Sequence, residues 1–202
     1  MAKDYPDLLV FDYETMSNNA LNAAVVSLGA VICNWEDIDV DNPEETVKRL
    51  EKDGFYCNIK LQGQSEKYAL ECNAETIRWW SKQGEFAKQM LQSKDKVTVE
   101  QHCQMFIDFC ISKGLTQKTV VYIRAPHFDF TIMQNVFERV GFPLPFNHFK
   151  VRDVRTAIDI VFGTDNGFVP GFREKLESLG LTEHYALHDC LKDLLQLRLC
   201  RE

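Results

Sequence analysis

Leu8-Leu9-Val10-Phe11-Asp12-Tyr13-Glu14-Thr15-Met16 is the stretch whose reading decides the fold. Four apolar residues run into two carboxylates one residue apart. Val and Phe suit extended backbone, and a short apolar run reads as a buried strand. Side chains alternate along a strand, so Asp12 and Glu14 point to the same face. Two carboxylates side by side at the end of a buried strand repel each other unless positive charge sits between them. A divalent cation meets that need, because Mg²⁺ and Mn²⁺ prefer hard oxygen ligands. Solvated strand-end acids are the other reading of so short a pattern.

The rest of the chain bounds what such a strand can belong to. Its 202 residues predict a single domain over 1–202, and an apolar fraction of 45% with 14 Phe is enough for a full core. No stretch approaches the ~18 uninterrupted apolar residues of a membrane span. The start, Met-Ala-Lys-Asp-Tyr-Pro-Asp, lacks the apolar core of a signal peptide. Seven cysteines without a Cys-x-x-Cys pair argue for a reducing compartment, hence a cytoplasmic protein, and against a disulfide framework or zinc knuckle. A net charge of −7 argues against a protein that grips nucleic acid with its whole surface, so any hold on phosphate is expected to be local. Metal ions in a site would supply positive charge themselves.

Outward from the first strand, residues 24–33 are small and β-branched and predict a central strand returning antiparallel beside it. Residues 36–53 read as an acidic excursion with at most one short helix. Residues 54–59 form a third strand, and 60–73 a polar connector. Asn73 caps a helix carrying Thr76, Ile77, Trp79 and Trp80. The Trp pair is either a stacking platform for bases or core. After Gly84 a second short helix runs to about Leu91, and another opens at Thr98 or Val99 and ends near Gly114. Residues 119–123 are a strand leading through Arg124-Ala125-Pro126-His127-Phe128-Asp129 into a helix that lasts to Val140. Residues 149–152 form a last short strand, and Asp153 opens the helix after it. A loop at 163–171, a helix at 172–179 and a Leu-rich helix from His184 to Leu199 close the chain. Three strands in a row, then strands alternating with helices, predict an α/β layer fold: a mixed five-stranded sheet with helices on both faces.

Three acidic stations stand out. Asp12 and Glu14 end the first strand. Asp129 sits where the strand at 119–123 gives way to a helix, and ligand sites of α/β sheets lie at the carboxyl ends of strands. An Asp there also serves as a helix cap or dipole partner. The third station is His184-Tyr185-Ala186-Leu187-His188-Asp189, in which a helical reading places His184 a turn above Asp189 and turns His188 away.

In this order, Phe11-Asp12-Tyr13-Glu14-Thr15, His127-Phe128-Asp129 and the 184–189 stretch resemble the three motifs of the DEDDh exonucleases. These are the DnaQ-like or RNase T-like branch of the ribonuclease H-like superfamily. Ala23-Ala24-Val25-Val26-Ser27-Leu28-Gly29-Ala30-Val31 and Glu75-Thr76-Ile77-Arg78-Trp79-Trp80 resemble more narrowly the exonuclease A proteins of T-even-type phages and the nuclease domain of exonuclease VIII. The resemblance runs from Leu8 to about Leu197. It implies a ribonuclease H-like fold and a metal-dependent 3′–5′ exonuclease that releases 5′-mononucleotides, working in the host cytoplasm if phage-encoded. It also implies two ions, Mg²⁺ or Mn²⁺, about 3.5–4 Å apart. Asp12, Glu14, Asp129 and Asp189 would hold them, with Asp12 bridging. His184 would be the general base, an imidazole having its pKa near working pH.

The same resemblance has Thr15 and Met16 line the terminal nucleotide, Met16 as a wedge; a packed Met is the alternative. Lys150, Arg152 and Arg155 form a basic cluster that either holds phosphates or is a solvated face. Asp153 lies in that cluster, where it would orient an Arg, outside the metal set. One departure matters: relatives tend to carry a Trp and small or Asn residues before the second motif, where this chain has Tyr122-Ile123-Arg124-Ala125-Pro126, so substrate contacts from that loop do not carry over. The phage-like subgroup favours DNA 3′ ends as the partner. An exoribonuclease of the same chemistry and a non-catalytic nucleic-acid-binding module are the alternatives. The sequence carries no signal for oligomeric state.

Overall fold

β1 (Leu8–Thr15) is buried along almost its whole length, and the rest of the chain is laid around it. The computed structural model describes residues 4–201; the first three residues of the polar start, and Glu202, lie outside the described residues. The elements that follow are β2 (Val25–Cys33), α1 (Pro43–Asp53), β3 (Phe55–Ile59), α2 (Gln64–Tyr68), α3 (Ala74–Trp80), α4 (Glu85–Gln92), β4 (Lys96–Val97) and α5 (Val99–Ser112). The second half holds β5 (Val120–Ile123), α6 (Asp129–Val140), β6 (Val151–Asp153), α7 (Val154–Phe162), α8 (Arg173–Ser178) and α9 (Ala186–Leu199).

The sheet runs in the order β4-β3-β2-β1-β5-β6. β1, β2 and β3 form an antiparallel meander, while β5 lies parallel to β1, β6 parallel to β5, and β4 parallel to β3. The sheet is therefore mixed, as predicted, but has six strands rather than five. The extra strand is β4, whose two residues pair with Asn58 and Ile59. Two residues are too few to show a period-2 pattern.

β1 divides its side chains between two cores. Leu9, Phe11 and Tyr13 pack with Phe106 of α5 and Val136 and Phe137 of α6. Leu8 and Val10 pack on the other face with Leu187, Cys190 and Leu191 of α9, Val154 and Ile158 of α7, and Val47 and Leu50 of α1. Each fully buried Leu or Phe of this kind contributes about 1.5–3 kcal/mol. By alternation, Asp12 and Glu14 fall on the α9 side.

Two helices exceed what the sequence predicts. The 36–53 excursion carries the 11-residue α1, started by Pro43 in its first turn and held by buried Val47 and Leu50. The polar connector contains α2, whose buried Gln64 donates to Val25 O and accepts from Val25 N, standing in for a strand partner at the start of β2, where β3 does not pair. The last helix starts at Ala186, not at His184. No helix among the described residues is long and apolar enough to cross a membrane.

Candidate active site

The site lies where the carboxyl end of β1 meets the first turns of α6 and α9. Asp12, Glu14 and Asp189 each offer a carboxylate oxygen, all within 4.8 Å of one another. Asp129, the first residue of α6, turns its Oδ1 back to accept a hydrogen bond from Tyr13 N at 3.1 Å. A backbone N–H between the two β1 acids thus fixes the fourth carboxylate. Tyr13 itself points to the opposite face, where its hydroxyl lies 3.0 Å from His102 Nε2. His102 Nδ1 faces Val99 O, so Nδ1 carries the proton and Nε2 accepts from the phenol. Burial pushes this imidazole down to about 4, and it stays neutral.

His184 reaches the site by an unexpected route. The helical reading placed it on the last helix; it instead precedes that helix, with φ +58° in the left-handed region. That turn points its Nδ1 at Glu14 Oε1, 4.0 Å away. Its ring stands edge-on to Trp79, centroid to centroid 4.7 Å, and to Trp80 at 6.2 Å. The Trp pair divides its roles. Trp80 is core, and its Nε1 donates to Thr15 O at 2.8 Å, docking α3 on the end of β1. Trp79 stays 41% exposed beside His184. His188 turns away, as its register predicts: its Nδ1 accepts from Thr182 N and its Nε2 meets Glu51 Oε1 at 2.9 Å.

Burial and mutual repulsion raise three of the crowded acids. Burial pushes Asp12 well above the usual carboxylate range, and Asp129, Glu14 and Asp189 push it further. Glu14 rises to about 8, through burial first and then Asp189 and Asp129, with Lys192 opposing. Burial lifts Asp129 to about 7 against the N–H groups of Tyr13 and its own backbone. Lys192 lies 2.8 Å from Asp189 Oδ1 and supplies one positive charge. The donor set is all hard oxygen and carries more negative charge than this lysine balances, which fits divalent Mg²⁺ or Mn²⁺.

Other candidates fall elsewhere. Thr15 is buried and its hydroxyl donates to Ser17 O. Met16 is 5% exposed and sits in the core around Phe11. Arg152 donates to Phe149 O and Val151 O, and neither it nor Lys150 lines the cavity at the site. Arg155 does not line it either, but its charge opposes the rise that burial imposes on Asp129 and Asp193. Asp153 stays outside the metal set, but the expectation that it orients an Arg is corrected: it caps α7, accepting from Arg155 N and Thr156 N, and also accepts from Ala125 N.

The structure adds residues that the motifs do not contain. Asp193, one turn beyond Asp189 on α9, is buried behind the cluster. Arg124 meets it with Nε and Nη2, each 2.8 Å from Asp193 Oδ1. The i,i+4 spacing from Asp189 to Asp193 was a usable signal; Arg124 left none, being 69 residues away. Arg124, Phe128, Phe168 and Lys192 join the acids and His184 around a cavity of about 530 Å³.

Comparison with known proteins agrees with this geometry. The family model described as "3'-5' exoribonuclease Rv2179c-like domain" matches residues 7–197. The exodeoxyribonuclease of Enterobacteria phage T4 is 27% identical over 205 residues, covering 94% of this chain and 86% of its own. The nuclease domain of 3'hExo, described as a DEDDh family member bound to rAMP, superposes with TM-score 0.61 at 14% identity, over 99% of this chain and 93% of that one. Exonuclease I (apo) gives TM-score 0.59 at 14% identity, over 98% of this chain but only 43% of its own. These two share the fold, and the chain spans less than half of exonuclease I. The chain belongs to the 3′–5′ exoribonuclease Rv2179c-like domain family and is a 3′–5′ exonuclease, built on the ribonuclease H-like fold that it shares with the DEDDh nuclease domain of 3'hExo.

Proposed function

We propose that this chain, as a single catalytic domain in the cytoplasm, removes 5′-mononucleotides from DNA 3′ ends with two divalent ions and His184 as general base. The observation that carries the reading is the meeting of Asp12, Glu14 and Asp189 oxygens within 4.8 Å, with Asp129 fixed beside them. All seven cysteines are free, which supports the compartment.

Asp12, Glu14, Asp129 and Asp189 would hold Mg²⁺ or Mn²⁺. Bound there, the ions would supply acidity to a coordinated water and positive charge at the scissile phosphate and the departing 3′ oxygen. The protein's part is positioning. Tyr13 N holds Asp129 in register with the β1 acids. His184, kept over Glu14 by the edge of Trp79, takes the proton of the attacking water. Lys192 steadies Asp189 from the α9 side.

DNA is supported by the phage T4 relative, which is named an exodeoxyribonuclease. RNA is the second reading, supported by the description of the matching family as exoribonuclease. Digestion of two matched 5′-labelled oligonucleotides, one DNA and one RNA, with Mg²⁺, with Mn²⁺ and with chelator, separates them. A metal-dependent ladder shortening from the 3′ end of DNA is expected, lost in Asp12→Asn. A ladder on RNA alone would move the substrate to RNA, and no ladder on either would overturn the reading.

A further inference from the structure

The loop between α7 and α8 reaches the cavity through Phe168, and none of the three motifs includes it. It is pinned on both sides of Phe168. Gly167 N donates to Asp159 Oδ1 at 2.8 Å, and Gly167 O accepts from Arg124 Nη1 at 2.9 Å. Val169 N donates to Gln196 Oε1 at 3.2 Å, and Val169 and Phe172 are buried. Gly167 itself has φ +71°, and a Cβ there would lie 2.5 Å from Arg155 Cγ, so this turn rests directly on the stem of Arg155.

Between these anchors Phe168 is left 48% exposed. It lines the same cavity as Asp12, Glu14, Asp129 and Asp189. The guanidinium of Arg124 lies over its ring, 4.7 Å from the centroid. Arg124 is immobilised in turn by the buried Asp193. Burial does not explain a half-open ring beside four carboxylates, held by a rigid loop and a locked arginine. The cavity, at about 530 Å³, is within the range that encloses ligands of nucleotide size.

We propose that Phe168 is a stacking platform for a nucleobase at the 3′ end of the substrate, and that Arg124 is the positioning residue that holds the ring in place. The inference rests on the exonuclease reading of the neighbouring acids. The three cations that line the cavity, Arg124, Arg173 and Lys192, are each paired with a carboxylate, and base stacking adds affinity that every base can use. The guanidinium covers one face of the ring, and the base takes the other.

The test uses the full chain, with Ca²⁺ in place of Mg²⁺ to measure binding. The probes are an oligonucleotide ending in 2-aminopurine and a matched one ending in an abasic residue. Wild type is expected to quench the 2-aminopurine. Phe168→Ala loses the quench and binds the base-bearing oligonucleotide about 5- to 150-fold more weakly, the range for one stacked base. Its binding to the abasic probe stays unchanged, and Phe168→Trp restores both quench and affinity. Equal weakening on both probes, or no change on either, overturns the proposal. The exonuclease reading fails separately: a Phe168-dependent quench without turnover in Mg²⁺ or Mn²⁺ leaves the platform standing and removes the nuclease, whereas turnover without any Phe168 effect removes the platform alone.

Discussion

Gly29 lies directly beneath Ala186 in the first turn of α9, so close that a Cβ on Gly29 would sit 2.3 Å from the Ala186 carbonyl carbon. Gly29 is also the cross-strand partner of Asp12, and its carbonyl accepts from Cys190 Sγ at 3.5 Å. The absence of one side chain therefore lets α9 touch β2 and brings Asp189 to Asp12. Gly29→Ala is expected to lift α9 from the sheet. The overpacking costs about 1–3 kcal/mol of stability. Mn²⁺ affinity and turnover should each fall by at least tenfold, because the acids part. Chemical denaturation and a Mn²⁺ titration check both; a destabilised variant with unchanged Mn²⁺ affinity would show that the contact supports the fold and not the site.

The acids make stability depend on pH in a direction set by their raised pKa values. Glu14 at about 8 and Asp129 at about 7 bind protons more tightly folded than unfolded. Their favourable contribution is complete below the unfolded values of about 4 and is lost as pH rises through 7 and 8. His102 works the other way: held at about 4, it contributes above its unfolded value of about 6.5 and loses that contribution as pH falls toward 4. Between pH 6.5 and 8.5 the carboxylates dominate. In chelator the melting temperature should fall across this window, and the gain on adding Mn²⁺ should be larger at pH 8.5 than at pH 6.5. A flat profile in chelator would mean that the four carboxylates do not share one charge cluster.

The Arg124–Asp193 pair is nearly buried, and removing one partner leaves a charge without a counterpart. Arg124→Ala should cost about 3–5 kcal/mol. Arg124→Met combined with Asp193→Leu should recover most of it, since a buried pair replaced by apolar groups is often neutral. Urea denaturation of the single and double variants gives the comparison. Arg124→Ala at wild-type stability would show that the pair is solvated in solution.

What the sequence makes legible here depends on distance along the chain. Asp12 and Glu14 share a face by strand alternation alone, and the burial of β1 follows from its apolar run. Asp129 at a strand-to-helix junction is equally local. His184 is not: a sequence pattern gives no reason for a histidine to take a left-handed turn, and a helical register put it on the wrong element. β4 is two residues long, and its pairing exists only because β3 presents an edge. Arg124 and Asp193 meet across 69 residues, a contact no local periodicity encodes. Phe168 stands exposed in a loop held from outside by Arg124, Arg155 and Gln196, partners that no local pattern marks.

Because His184 sits on an unusual backbone turn, its ring is held from the side by Trp79, and the two should act as a unit in turnover. His184→Ala removes the proton acceptor and is expected to slow kcat by about 10²- to 10⁴-fold with little change in KM. Trp79→Ala leaves the imidazole in place but frees it to turn, so kcat should fall by a smaller factor, about tenfold, and Trp79→Phe should restore most of the loss. In the His184→Ala background Trp79→Ala should have no further effect on kcat, since there is then no ring to position; a coupling of this kind is what a double-mutant cycle isolates. Additive losses would assign Trp79 to substrate binding instead. His188→Ala, whose ring bonds Thr182 N and Glu51, should leave kcat unchanged. Loss of turnover in that variant, with His184→Ala active, would transfer the base to His188.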